Sequence, residues 1–148
     1  MKFVEEFRFS AKVTAPIHIG KGPYGTRTIY EISGGEVTGE RISGKILGGA
    51  DWSLIGDDRF LKIDVRAQVE THDGANLYFQ YNGLLGINDL LLKALEKSEP
   101  TEFGDQYCYT NLRIETGDER YSWVNTTFFI GEGRNISGGV EYRVCRPA

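Results

Sequence analysis

No stretch of the chain stays apolar for more than a few residues, so no helix in it could span a hydrocarbon layer ~30 Å thick. Positive charge is not in excess either. Lys and Arg number 17 against 21 Asp and Glu, a formal charge of −4, and acid leads in both halves, so the basic footprint of a nucleic-acid binder is missing. Cysteine is scarce: Cys108 and Cys145 lack C-x-x-C spacing and read as reduced core thiols. The two histidines, His18 and His72, stand far apart without ligand-spaced partners, so no metal site is expected. Met1-Lys2-Phe3-Val4-Glu5-Glu6 lacks the apolar stretch of a signal peptide, which predicts a cytoplasmic protein with no membrane partner. No nucleophile elbow, phosphate loop or dinucleotide fingerprint occurs, and no cofactor is expected.

What the chain has in abundance is glycine, 19 of 148 residues, almost twice the usual ~7%. Short glycine-bearing marks (Ser33-Gly34-Gly35, Gly48-Gly49, His72-Asp73-Gly74, Asn82-Gly83, Gly131-Glu132-Gly133, Ser137-Gly138-Gly139) separate segments of mostly period-2 alternation. Phe7, Phe9, Ala11 and Val13 alternate with Arg8, Ser10 and Lys12, and Ile63, Val65, Ala67 and Val69 with polar neighbours. Such spacing predicts one all-β domain over residues 1–148, an antiparallel sandwich or barrel, with Asp73-Gly74 and Asn82-Gly83 as tight hairpin turns. One segment departs. Apolar residues at 87, 90, 91, 94 and 95 form a helical stripe across Ile87–Lys97, with Asn88 as N-cap and Pro100 beyond the end. A lone amphipathic helix must bury its leucines at a barrel end, over a pocket or on a second subunit.

Three constellations could carry chemistry. In Gly48-Gly49-Ala50-Asp51-Trp52 a tight bend would hold a carboxylate against an indole, raising its pKa as a general acid or base requires. By itself the same segment also reads as Asp51 capping a turn while Trp52 fills the core. Asp64 and Arg66 share one face of a strand: a solvated outer stripe, or, if that face lines a cavity, an oriented guanidinium for an anionic or carbonyl oxygen. In Glu115-Thr116-Gly117-Asp118-Glu119-Arg120-Tyr121-Ser122-Trp123-Val124-Asn125, alternation puts Tyr121, Trp123 and Asn125 on one face, two aromatics and an amide suited to a planar ligand.

Five ordered motifs carry a resemblance across nearly the whole chain: Gly48-Gly49-Ala50-Asp51-Trp52, Asp64-Val65-Arg66, Thr71-His72-Asp73-Gly74-Ala75, Glu115–Asp118 running into Tyr121–Asn125, and Gly138–Val144. Together they resemble the bacterial and fungal domain-of-unknown-function family three-two-three-seven, also known as uncharacterised protein family zero-three-one-one. The resemblance implies a closed antiparallel β-barrel akin to lipocalins and other calycins, and no established activity. The chain differs from that pattern at Glu40, where relatives tend to have proline, and in the leucine-rich helix at 87–97, which looks like an insertion.

A closed barrel either fills with side chains or holds one small ligand. The first reading is a small-molecule-binding barrel, a carrier or a cofactor-free enzyme acting on a planar or aromatic metabolite. Its expected ligand-binding residues are Trp52, Asp64, Arg66, Tyr121, Trp123 and Asn125, with Asp51 or Glu115 as the acid–base group. The second is a filled, non-catalytic interaction protein that forms a homo-oligomer through the 87–97 helix.

Overall fold

Alternating apolar and polar residues become ten antiparallel strands in the computed structural model, which describes residues Met1–Ala148. They are β1 (Phe3–Val13), β2 (Ile17–Gly22), β3 (Gly25–Gly34), β4 (Glu36–Gly39), β5 (Gly44–Ile55), β6 (Phe60–Thr71), β7 (Asn76–Gly86), β8 (Cys108–Glu115), β9 (Phe129–Ile136) and β10 (Gly139–Pro147). Each strand from β5 to β10 pairs with the next, and β10 pairs with β1. Gly35 joins β3 to β4 as one bent stave between β1 and β5, because any Cβ there would stand 1.8 Å from the Ser10 carbonyl oxygen. The sheet thus closes as an eight-stranded barrel with no free long edge. β2 extends beyond the ring, paired to β3 alone.

The two ends differ. Toward the end that holds both chain termini, Phe7, Phe79, Phe129, Ile42 and Leu77 are fully buried and fill the interior. Phe7 meets Phe79 at 6.0 Å and Phe129 edge-on at 5.7 Å. The connection between β8 and β9 caps this end with a 3₁₀ segment, Glu119–Thr126, which buries Tyr121 and Val124. Above that packed half, Phe9, Tyr81 and Tyr142 form a ledge of rings 5.2–5.7 Å apart. Tyr142 lies across Gly133, where a Cβ would come within 2.6 Å of its ring.

At the other end stands α1 (Asp89–Lys97). Asn88 caps it as predicted, its Oδ1 accepting from the Leu91 N–H at 3.0 Å, and Ser98 ends it in a left-handed turn. The helix sits at a barrel end with Leu91 and Ala94 buried. No helix of the protein is long and apolar enough to cross a membrane.

Turn expectations are corrected at three places, one of them Gly48-Gly49, which lies inside β5. Asn82-Gly83 is no hairpin turn but lies inside β7, and Gly131-Glu132-Gly133 lies inside β9. Both stretches need glycine for close approach: a Cβ on Gly83 would stand 2.2 Å from the Tyr109 carbonyl oxygen, and one on Gly131 2.6 Å from Thr110 Oγ1.

The chain ends are tied together by Glu6, the extra residue where the register of β1 on β10 slips between Glu5 and Phe7. Its carboxylate, only 6% exposed, pairs with Arg41 and with Arg146 Nε at 2.6 Å. Arg41 and Arg146 outweigh the effect of burial and hold Glu6 below its ordinary value of 4.5. Its stabilising contribution is therefore full above about 4.5 and is lost as pH falls through the depressed value. Glu6→Gln should cost about 2 kcal/mol at neutral pH. Denaturant titrations at pH 7 and pH 3 should show the gap between variant and wild type narrowing in acid.

Candidate functional site

The interior above the ring ledge is open. A cavity of about 450 Å³ lies between the staves and α1, lined mainly by apolar side chains such as Ala11, Ile32, Leu61, Ile63 and Val65. That size falls in the usual range for small-molecule sites, roughly 300–1,000 Å³. Leu91, Leu92 and Leu95 of α1 also line it, and Leu92 and Leu95 are about half exposed, so they mark its rim.

Two charged residues reach its wall, Asp51 and Arg134. Arg134 is committed: Nε donates to Glu141 at 2.8 Å and Nη1 to the Thr101 carbonyl at 3.1 Å. Asp51 has no cationic partner. How it comes to face inward is a matter of strand parity. In β5, Gly44 and Ile46 pair with Thr71 and Val69, and one extra residue then interrupts the register before Gly48 pairs with Gln68. Beyond that bulge the inward positions change from even to odd. Gly49 stands across from buried Ala67, and Asp51 across from buried Val65 and beside Tyr30 of β3.

The β5–β6 ladder also opens opposite Trp52 and Ser53. The Asp64 N–H, freed there, donates to Asp51 Oδ1 at 3.0 Å. Burial disfavours the charged carboxylate more than this single bond favours it, and the pKa of Asp51 is pushed up from 3.8 to about 6. Tyr30, Tyr81 and Tyr142 are all raised, chiefly by burial and further by the Asp51 charge, so they remain hydroxyl donors. Cys108 also lines the cavity, its thiol raised by burial to about 11 and held as S–H.

The other sequence-predicted residues do not gather here. The bulge that turns Asp51 inward turns Trp52 outward, so the bend expected to aim both together is instead a strand that separates them. Arg66 is exposed on the outer face, 6.0 Å from the Trp52 ring centroid, and Asp64 has the same parity, which is the outer-stripe arrangement. Tyr121, Trp123 and Asn125 do not alternate on a strand, since they belong to the 3₁₀ segment at the packed end. Tyr121 donates its hydroxyl to Asp73 at 2.7 Å. Trp123 stacks under the Arg41 guanidinium at 3.9 Å. Asn125 is exposed, and its amide pairs with both backbone groups of Thr116, at 2.8 and 2.9 Å, as a strand neighbour would. Glu115 is exposed on β8. The Thr71–Ala75 motif is a structural turn: Thr71 and Tyr121 hydroxyls hold the Asp73 carboxylate down at about 2.

Sequence reasoning missed Tyr30, Tyr81, Tyr142 and Gln106 in the cavity wall. Parity along β3, β7 and β10 pointed to the tyrosines, while Gln106 sits in a loop with no period to follow.

Fold and cavity together define a small eight-stranded barrel with one apolar chamber and a single unpaired carboxylate in its wall. The chain belongs to the family described as protein of unknown function (DUF3237), which matches residues 1–146. The UPF0311 protein RPA1785 of Rhodopseudomonas palustris is 34% identical over 126 residues, 84% of this chain and 82% of that one. Its crystal structure superposes with a TM-score of 0.88 over 98% of this chain and 96% of that one, at 31% identity. A β-barrel-like protein from Acinetobacter baumannii gives a TM-score of 0.80 at 28% identity, covering 99% and 96%. More distant is the hydroalkoxylation enzyme phnH of Penicillium herquei, 23% identical over 134 residues, 89% of this chain and 75% of that one.

The inward setting of Asp51 rests on Gly49, whose φ is +144° and whose Cβ would stand 2.2 Å from the Arg66 carbonyl oxygen. Gly49→Ala should cost about 3 kcal/mol from backbone strain and overlap. Gly48→Ala, with nothing nearer than 3.7 Å, should cost under about 1 kcal/mol. Urea unfolding midpoints of the two variants test this.

Proposed function

We propose that the chamber binds a small, mostly apolar molecule and that Asp51 exchanges a proton with it, making the protein a cofactor-free enzyme for a planar or aromatic metabolite. The observation that carries this reading is the apolar 450 Å³ cavity with one unpaired carboxylate pushed up to about 6 in its wall. A group with that pKa can hold or give up a proton near neutrality, as acid–base catalysis demands. The filled-barrel alternative is favoured by nothing in the upper half, where α1 roofs an open space.

The fungal relative supplies a reaction type that fits. Hydroalkoxylation adds an O–H across a C=C. When both groups belong to one molecule it is an isomerisation that consumes nothing. Asp51 in its acid form gives a proton to one alkene carbon, the hydroxyl oxygen bonds the other, and the hydroxyl proton returns to the carboxylate. The hydroxyl of Tyr30, the β3 neighbour of Asp51, stays protonated and can donate to the oxygen of a bound substrate.

The neutral fluorescent naphthalene Prodan probes the chamber directly. Its affinity should rise as pH falls through about 6, because neutral Asp51 is easier to cover than its anion. Asp51→Asn should bind Prodan with no such pH dependence. An alkenylphenol should be cyclised by the wild type and not by Asp51→Asn. No Prodan binding would remove the site, and equal turnover in both proteins would remove Asp51 from the chemistry.

A further inference from the structure

The cavity wall contains a second polar group with unspent hydrogen-bonding capacity. Gln106, in the loop before β8, is 3% exposed and lines the cavity, yet its Nε2 has no hydrogen-bond partner. A buried amide nitrogen left unpaired is costly, and native structures rarely keep one without a use. The carbonyl end of the amide faces the Thr101 hydroxyl. The Asn135 N–H donates to Thr101 Oγ1 at 3.0 Å, and the Thr101 hydroxyl spends its one proton on Gln106 Oε1 at 2.8 Å. The carbonyl end of the amide is thus taken, and both Nε2 hydrogens are left over.

The loop that presents Gln106 is firmly held. Thr101 N–H donates to the Asn135 carbonyl at 3.0 Å, Asn135 Nδ2 to the Glu99 carbonyl at 2.9 Å, and Asn88 Nδ2 to the Asp105 carbonyl at 2.7 Å. Strand order sets Gln106, at the start of β8, three staves round the ring of eight from Asp51 on β5. A molecule filling the chamber would therefore meet Asp51 on one wall and Gln106 on another.

We infer that Gln106 Nε2 is the ligand-orienting donor of the chamber and that the ligand is a neutral, largely apolar molecule carrying a carbonyl oxygen. An anion would face the Asp51 carboxylate, and a cation would leave the amide hydrogens unmatched. This deepens the small-molecule reading of the cavity and depends on it.

The test uses two probes of equal size, 2-acetylnaphthalene and 2-ethylnaphthalene, which differ by C=O against CH₂. Gln106→Met, close in shape, should weaken the ketone about tenfold and leave the hydrocarbon unchanged. In the unaltered protein, the Gln106 Nε2–H NMR signals should move downfield with the ketone and not with the hydrocarbon, a readout that needs no variant to fold. If both probes bind but the variant affects them equally, or the amide signals ignore the ketone, the Gln106 assignment falls and the cavity reading stands. If neither probe nor Prodan binds, both fall together.

Discussion

Parity governs the interior of a barrel: along each strand only every second side chain faces in, and one inserted residue exchanges the two sets. In this protein the insertion in β5 between Ile46 and Gly48 is the constraint on which the site depends. Below it, Ile46 joins the packed half. Above it, Gly49, Asp51 and Ile55 face in, while Trp52 turns out. A regular β5 would put an indole in the chamber and the carboxylate in water. The bulge replaces the largest side chain of the strand by a small acidic one, and so makes both the space and its chemistry. Gly49 permits it, since its φ and its approach to the Arg66 carbonyl suit no residue with a Cβ.

Burying that carboxylate without a counter-charge is costly, and the rest of the barrel offsets it. The packed half supplies aromatic burial, with Phe7 against Phe9, Phe79 and Phe129, Phe9 against Phe79, and each no more than 2% exposed. Charged groups are used there in the opposite manner, fully paired. Glu6 is held by Arg41 and Arg146, and Asp73 by hydroxyls and Arg120, so both sit below the ordinary carboxylate range. One end of the barrel thus lowers carboxylate pKa values through partners, and the other raises one through their absence. The ring ledge of Phe9, Tyr81 and Tyr142 separates the two regimes.

Much of the architecture was legible in the sequence. The alternation of β1 and β6, the helix and its Asn88 cap, and the likeness to a barrel family all rest on local pattern, and local pattern survives folding. Of the expected site residues only Asp51 reaches the chamber. Glycine misled, because Gly83, Gly131 and Gly133 serve close packing inside strands, where their composition looks the same as in turns. Tyr121, Trp123 and Asn125 obey a period of two, yet fold as a 3₁₀ segment because Asp118 and Asp73 capture Arg120 and Tyr121. Whether Asp64 and Arg66 faced in or out depended on β6 pairing with neighbours far along the chain, which alternation alone cannot decide.

The leucine helix gains a purpose from the chamber beneath it. An amphipathic segment of nine residues is too short to be stable alone and needs an apolar surface to cover. The bulged barrel provides one, since its upper half lacks the side chains that fill the lower. Leu91 is buried against that space, while Leu92 and Leu95 reach both cavity and solvent. The Asn88 side chain, which starts the helix, also donates to the Asp105 carbonyl, next to Gln106. One asparagine therefore fixes the roof and the loop that carries the unpaired amide, and the same connection between β7 and β8 supplies the apolar cover and the polar donor. The β5–β6 and β9–β10 connections at this end are short turns, and β2 pairs with β3 alone, so the β7–β8 segment is what gives the chamber its roof.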